Sequence, residues 1–247
     1  MSVPARPPER NAPSPIAVRR LGTTAYPQAL ERMRRFTRER IDGAGHGDEI
    51  WLTDHPPVYT LGFAGRPEHV RETGGIPVVT TERGGQVTYH GPGQAVAYLL
   101  LDLRSRRIGV RELVCRIEAA VIDCLAGYGI RAFRRDGAPG IFVARLVGDG
   151  SCGGMSRAQA AAPGRAPDLR DVAKIASIGL KVSCGFTWHG VALNADMDLE
   201  PFDRIDPCGF AGLRMTDVRR EAPTGAAVRF DDLSGRLGAA LLASIGG

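Results

Sequence analysis

The chain has 247 residues, a formal net charge of +5 at pH 7, and hydrophobic and charged fractions of 43% and 24%, near those of ordinary globular proteins. It is long enough for one large or two small domains with an ample core; no apolar run could span a bilayer and the N-terminus lacks a signal peptide's apolar region, so it reads as soluble and cytoplasmic. The five cysteines (Cys115, Cys124, Cys152, Cys184, Cys208) show neither metal-ligand spacing nor an even disulfide framework, which points to reduced thiols. Arginine far outnumbers lysine, yet no nucleic-acid motif accompanies the charge, and a basic face for docking an acidic protein suits it as well.

The first fifteen residues, rich in Pro, Ala and Arg and without periodicity, read as a disordered tail, and residues 16–247 as one folded domain. Ile16 to Leu21 can form an edge strand. Over Tyr26 to Ile41 the spacing of Tyr26, Leu30, Met33 and Phe36 predicts a helix, with Arg32, Arg34, Arg35, Arg38 and Arg40 largely on its other faces. Short strands follow at Glu49 to Thr53 and Val58 to Leu61, around His55-Pro56-Pro57, and at Val78 to Thr81.

The stretch Arg83-Gly84-Gly85-Gln86-Val87-Thr88-Tyr89-His90-Gly91-Pro92-Gly93-Gln94 is the most distinctive in the chain. Two glycines free the backbone for close approach to a ligand, four residues alternate as a strand, and Gly91-Pro92-Gly93 forms a tight turn before the apolar strand Ala95 to Leu101. Read by itself this is a β-hairpin. Read as a site, it lays backbone along a bound chain while Arg83, Tyr89, His90 and Gln94 supply polar groups.

Val110 to Leu125 carries the clearest helical pattern, which places Cys115 and Cys124 among its packing residues. Ile130 to Arg134 and Gly140 to Ala144 read as strands flanking a turn at Gly137-Ala138-Pro139-Gly140. Gly148-Asp149-Gly150-Ser151-Cys152-Gly153 matches G-x-G-x-x-G after a strand, but Pro163, Gly164 and Pro167 leave no crossover helix behind it. Residues 145–171 are therefore expected to be a flexible insertion rather than a dinucleotide site, with Cys152 an incidental exposed thiol. A long hairpin is expected from Lys174 to Ala195 and a closing helix from Asp231 to Ile245. Hairpin strands with a few helices predict an α+β domain, a sandwich of mixed, largely antiparallel sheets with flanking helices, rather than a doubly wound sheet.

Pro207 and Gly209 pin Cys208 in a stiff turn instead of on a packing face. A nucleophilic thiol needs a nearby cation, base or oriented dipole to lower its pKa, and Lys174 is a candidate partner. Nothing in the sequence alone brings the two together.

RGGQVTYHGPGQ at 83–94, KIASIG at 174–179, TWHGVALN at 187–194 and DPCG at 206–209 together closely resemble the octanoyltransferase family of lipoate biosynthesis, over roughly Ile16 to Arg219. The resemblance implies a fold similar to that of biotin and lipoate protein ligases, and transfer of an octanoyl group from acyl carrier protein to a lysine of lipoyl domains. It implies that Cys208 holds the acyl group as a thioester and that Lys174 lowers its pKa and acts in acid/base transfer. Three segments would bind the acyl chain: Arg83, Gly84, Gly85, Gln86, Val87, Thr88, Tyr89 and His90; Ser177, Ile178 and Gly179; and Gly190, Val191 and Ala192.

The implied partners are acyl carrier protein, which delivers the acyl group on its phosphopantetheine arm, and the lipoyl domains of 2-oxoacid dehydrogenase E2 subunits and of the glycine cleavage H protein. Nucleic acid and membrane are not among them. No metal or nucleotide cofactor is expected, because the acyl group arrives activated. Val87, Tyr89, Ile178 and Val191 are expected to line an apolar slot, where each buried methylene contributes about 0.8 kcal/mol. A backbone N–H near Lys174 to Gly179 or at Cys208-Gly209 should face the tetrahedral oxyanion. His90 and His189 are assigned to support of the site and not to the main base. The alternatives are an ATP-dependent lipoate or biotin ligase, which would not need a nucleophilic cysteine, and a non-catalytic protein that binds acyl carrier or lipoyl domains.

Overall fold

The computed structural model describes residues 14–135, 137–144 and 169–246 (for Cys208, the main chain). The expected N-terminal tail, most of the expected insertion, Cys152 and the G-x-G-x-x-G string lie outside the described residues. In chain order the elements are β1 (Ile16–Thr23), α1 (Tyr26–Ile41), β2 (Asp48–Asp54), β3 (Val58–Leu61), β4 (Val78–Thr80), β5 (Val87–His90), β6 (Gln94–Leu100), α2 (Leu103–Arg106) and α3 (Val110–Ala126). They continue with β7 (Ala132–Arg135), β8 (Ala138–Ala144), β9 (Val172–Ser183), β10 (Phe186–Asn194), β11 (Arg214–Met215), α4 (Val218–Glu221) and α5 (Phe230–Gly246). No helix among the described residues is long and apolar enough to cross a membrane.

The large sheet runs β1-β2-β6-β10-β9-β8-β7, with β11 added on β9; the small sheet runs β4-β3-β5. Most neighbours are antiparallel, and β1–β2, β9–β11 and β3–β4 are the parallel pairs. The expected α+β arrangement of mixed, largely antiparallel sheets with flanking helices is what forms.

Strand alternation assigns the two faces of the large sheet. Ile50 and Leu52 of β2, Ala95, Ala97 and Leu99 of β6, and Val191 and Leu193 of β10 point into the main core. There they meet Leu113, Ile117 and Val121 of α3 and Leu233, Leu237 and Leu241 of α5, whose spacing of about one turn makes a continuous apolar stripe. Trp51, Val96, Tyr98, Leu100 and Ala192, from the same strands, point the other way, toward Tyr26, Ala29, Leu30 and Met33 of α1. Pro27 opens α1 where a missing N–H costs nothing, and Arg38 and Arg40 in its last turn oppose the helix dipole.

Several local expectations are corrected by packing. β5 and β6 do not form a hairpin: β5 pairs with β3 in the small sheet, while β6 lies between β2 and β10 in the large one. The Gly91-Pro92-Gly93 turn therefore carries the chain from one sheet to the other. Ala138, Pro139 and Gly140 belong to β8, not to the turn before it. Cys115 is exposed on α3, whereas Cys124 is buried and its thiol pKa is pushed up to about 11 by desolvation. Arg40 is no surface residue: it is buried, paired with Asp48 and bonded to the Leu100 carbonyl.

Candidate active site

Between the small sheet and the α1-side face of the large one lies a narrow cleft, partly open to solvent. Its roof is β5 with the preceding loop, 83–86. Arg83 holds that loop in shape: its buried guanidinium donates to the Thr60 carbonyl (2.6 Å), the Thr60 hydroxyl and the Gln86 carbonyl (2.7 Å). Gly84 donates its N–H to the Leu180 carbonyl at 2.8 Å, which seats the loop on β9, so Gly84 supports the cleft from behind instead of lining it.

The floor is made mostly of small residues and ends on β6 at Val96 and Tyr98. In register across the sheet, Ser177, Ala192 and Val96 form one row and Gly179, Gly190 and Tyr98 the next. Of the four residues expected to line an apolar slot, Val87, Ile178 and Val191 do border the cleft, and only Tyr89 does not. Tyr89 is not part of the cleft: its ring packs edge-on against Phe202 at 5.4 Å, in a separate cluster that also holds Val87 and Tyr59. Val191 is buried in the main core and Ile178 packs against that core. Val87, Ile178 and Val191 border the cleft through the backbone, while Thr88 and His90 alternate toward it from the roof.

The inner end is closed by Tyr26, Tyr98, His90 and His189, with His55 behind them. Sequence motifs had singled out only the last two of the cleft-facing four as site residues. His55 Nδ1 donates to the Thr24 carbonyl at 2.6 Å, so its Nε2 accepts from the Tyr98 hydroxyl, also at 2.6 Å. The Gln94 amide nitrogen is committed to the Tyr89 carbonyl and Asn194 Oδ1, so its oxygen accepts from His90 Nδ1 at 2.7 Å. Tyr26 stacks on His90 with 5.6 Å between ring centres and meets His55 edge-on at 5.3 Å. His189 stands at φ +62°, with Nε2 3.3 Å from the Thr81 hydroxyl; its buried Nδ1 has no hydrogen-bond partner among the described residues.

Burial dominates the titration of this cluster. It depresses all three imidazole pKa values, that of His189 to about 3 and that of His90 well below 6.5, and it raises the Tyr98 phenol well above its ordinary value. The histidines are therefore neutral at physiological pH. Among the described residues, no three His, Cys, Asp or Glu side chains converge as metal ligands.

Lys174 and the Cys208 turn lie outside the lining of the cleft, and the turn reaches it through Gln86. The β8–β9 register shifts between Ile141↔Ala176 and Phe142↔Lys174, leaving Ile175 as an extra residue. That bulge turns both Lys174 and Ser177 away from the main core. Lys174 is 1% exposed; its Nζ donates to the Pro139 carbonyl at 2.7 Å and lies 5.6 Å from the centre of the Phe142 ring. Gly140, at φ +124°, makes room for it, since a Cβ there would come within 2.5 Å of Lys174 Cε.

Pro207–Gly209 is a single 3-10 turn whose Gly209 (φ +74°) packs against the Gln86 side-chain amide so closely that no Cβ would fit. Downstream, β11 pairs in parallel with β9 at Met215↔Lys174, and Thr216 donates its N–H to the Lys174 carbonyl at 3.0 Å. The fold thus ties the chain after Cys208 to the roof loop through Gly209 and to the strand of Lys174 through β11. Of the expected oxyanion donors, the Gly209 N–H is already bonded to the Asp206 carbonyl at 2.9 Å. The Ile178 N–H is differently placed. Leu180 sends its carbonyl to Gly84, so Ile178, two residues earlier, faces the same edge of β9, beyond the last β8 pair at Ala176.

The architecture is that of lipoate and biotin protein ligases. The bipartite lipoate protein ligase of an archaeal lipoylation system, from Thermoplasma acidophilum, superposes with a TM-score of 0.66 at 14% identity, covering 94% of this chain and 85% of that one. A biotin protein ligase from Aquifex aeolicus, solved with biotin and ATP, gives 0.51 at 10% identity over 94% of this chain and 70% of its own. Residues 25–241 match the lipoyl protein ligase A/B catalytic domain. The octanoyltransferase of Pseudomonas entomophila is 52% identical over 204 residues, 83% of this chain and 81% of the relative. The chain belongs to the octanoyltransferase family within that catalytic-domain class, and is accordingly an acyltransferase of protein lipoylation.

Proposed function

We propose that this chain moves an octanoyl group from acyl carrier protein to a lysine of lipoyl domains by way of a thioester on Cys208, with Lys174 as the proton-transfer partner. The observation that supports the reading is that the turn carrying Cys208 packs through Gly209 against Gln86 of the cleft roof, while a buried lysine stands on the cleft side of β9.

In the first step the Cys208 thiolate attacks the carbonyl carbon of the carrier-bound thioester. The new carbon–sulfur bond forms, the bond to the pantetheine sulfur breaks, and that sulfur leaves as a thiol after taking a proton relayed by Lys174. In the second step the neutral amine of a lipoyl-domain lysine attacks the acyl-Cys208. The carbon–sulfur bond breaks, an amide forms, and the amine's surplus proton is returned through Lys174. Both tetrahedral intermediates carry an oxyanion, for which the Ile178 N–H is the best-placed backbone donor. Exchange of one thioester for another conserves the acyl activation and the amide lies downhill, so the chemistry asks for no nucleotide or metal.

Docking of the carrier is supported by two surface features. Phe63, 86% exposed, stands on a loop whose Phe63 and Ala64 amides bond to the Arg83 and Gly85 carbonyls, so an apolar anchor is fixed beside the roof. Arg35 and Arg38 on α1 are exposed cations suited to an acidic partner. The test is intact mass after incubation with octanoyl-acyl carrier protein and no nucleotide. The parent should gain one octanoyl group and Cys208→Ala none. Absence of the adduct on a folded parent, with transfer appearing only when ATP and free octanoate are supplied, would instead establish a ligase.

A further inference from the structure

The slot runs across the strands, from β9 over β10 to β6. Its outer end is the β9 edge, with Ser177, Gly179 and the roof loop; its inner end is Val96 and Tyr98 on β6, with Tyr26 of α1 beside them. From β9 to β6 is two interstrand spacings, about 10 Å. An extended eight-carbon chain with carbon–carbon bonds of about 1.5 Å spans about 9 Å. Slot and chain therefore match in length when the chain lies perpendicular to the strands, over the low row of Ser177, Gly179, Gly190 and Ala192.

The inner end is also a wall that cannot retreat. The Tyr98 hydroxyl is bonded to His55, and His55 in turn to the Thr24 carbonyl, a main-chain atom. Tyr26 is clamped between the His55 and His90 rings, and His90 is bonded through Gln94 and Asn194 to the Thr216 carbonyl. Displacing either phenol strands buried polar atoms without partners, a cost that cancels the gain from burying a further methylene.

We propose that Val96, backed by Tyr98 and Tyr26, is the end stop that selects acyl chains of eight carbons. The proposal rests on the octanoyl-transfer reading and adds to it the specificity element, which lies in β6 and α1, apart from Cys208 and Lys174. Side chains of Val96 and Tyr98 touch the far end of the bound chain; His55 acts only by positioning Tyr98.

The experiment measures kcat/KM for acylation of Cys208 with hexanoyl-, octanoyl-, decanoyl- and dodecanoyl-carrier, for the parent, Val96→Ala, Val96→Leu and Tyr98→Phe. One methylene in a fitted apolar pocket discriminates by about 10-fold or more. Val96→Ala should raise the decanoyl-to-octanoyl ratio by at least about 10-fold, and Val96→Leu should lower octanoyl relative to hexanoyl by a similar factor. Tyr98→Phe keeps the ring but frees it from His55, and should blunt the cut-off while octanoyl is still accepted. These ratios are read within one folded variant, so a general loss of activity does not move them. A parent that accepts octanoyl, with all three variants keeping its length profile, overturns the end stop alone. A parent that takes up no acyl group of any length overturns the transfer reading and the end stop with it.

Discussion

β10 presents two different proteins to its two sides. Val191 and Leu193 face α3 and α5 in an aliphatic core, where neighbours of similar shape fill space and carry no polar atoms. Gly190, Ala192 and Asn194, interleaved with them, face the cleft side, where the side chains are small and the buried groups beyond them are imidazoles and phenols. The first face holds the sheet together. The second gives up packing to leave a slot and is rebuilt from hydrogen bonds around it. Stability and selectivity are thus separated by strand parity, one residue apart.

The largest effects should come from exchanging size across that boundary. Ala192→Leu fills the floor of the slot and should slow Cys208 acylation by at least about 100-fold, summing several methylenes' worth of lost fit. Its cost in stability should stay at about 1–3 kcal/mol, typical of a side chain forced into a packed site. Leu193→Ala should do the reverse. It leaves a cavity in the main core and should cost about 2–5 kcal/mol in denaturant unfolding. Acylation per folded molecule should remain within about threefold of the parent, since the site lies on the other face. Equal losses of acylation in the two variants, at matched folded fraction, would break the division.

A smaller effect separates the faces by pH. The three cleft-side histidines have folded-state pKa values below 6.5, that of His189 at about 3, whereas the unfolded chain protonates them near 6.5. Below that pH the unfolded state binds more protons, so their contribution is fully present above pH 6.5 and is lost progressively on acidification. Unfolding free energy should already fall between pH 6.5 and 5. The Glu49 carboxyl, which the Arg19 and Trp51 hydrogen bonds hold below its usual 4.5 against the opposing effect of burial, adds its own loss only at lower pH. His189→Leu should flatten the upper part of the profile by about one proton. An unchanged slope in that variant would mean that His189 is reached by solvent.

Much of the fold was legible because helices and hairpins announce themselves locally. The residues of α1, the stripe of α3, the β9–β10 hairpin and α5 all follow from periodicity and turn chemistry. The division into two sheets was not legible. The glycine turn at 91–93 looks the same whether the next strand pairs back or crosses to another layer, and only tertiary pairing decides. The slot misled for a related reason. Val87, Tyr89, Ile178 and Val191 are the apolar residues of the motifs, so they were expected to meet an apolar chain; the side chains of Val87, Tyr89 and Val191 are packed into cores, and Tyr89 does not reach the cleft at all. The floor between them is left to glycine, alanine and serine, which carry no pattern. Tyr26, His55 and Tyr98 come from three distant segments, and nothing in their spacing indicates that they share one network. Lys174 and Cys208 stood out by residue type, but the bulge at Ile175 that turns the lysine toward the cleft side has no sequence mark.

The smallest predicted effect concerns the surface outside both faces. The net positive charge suits a basic docking face, and the structure sorts the arginines of α1 for that role. Arg40 is buried on Asp48, Arg34 pairs with Glu82 next to the roof loop, and Arg32 lies over the Trp51 ring at 5.4 Å. Arg35, 3.8 Å from Glu39 in an exposed pair, and Arg38 remain to meet a partner. Exposed charges steer association more than they hold a complex together, and salt screens them within about 10 Å at 0.1 M. Replacing both by Gln should therefore lower kcat/KM for octanoyl-carrier by about two- to fivefold at low salt, leave kcat unchanged, and converge with the parent as salt is raised. Unfolding free energy should move by less than about 0.5 kcal/mol, as for surface substitutions generally. A loss that persists undiminished at high salt would place these two arginines in short-range contact with the bound partner, whereas no loss at any salt would move the docking face off α1 and toward the loop of Phe63.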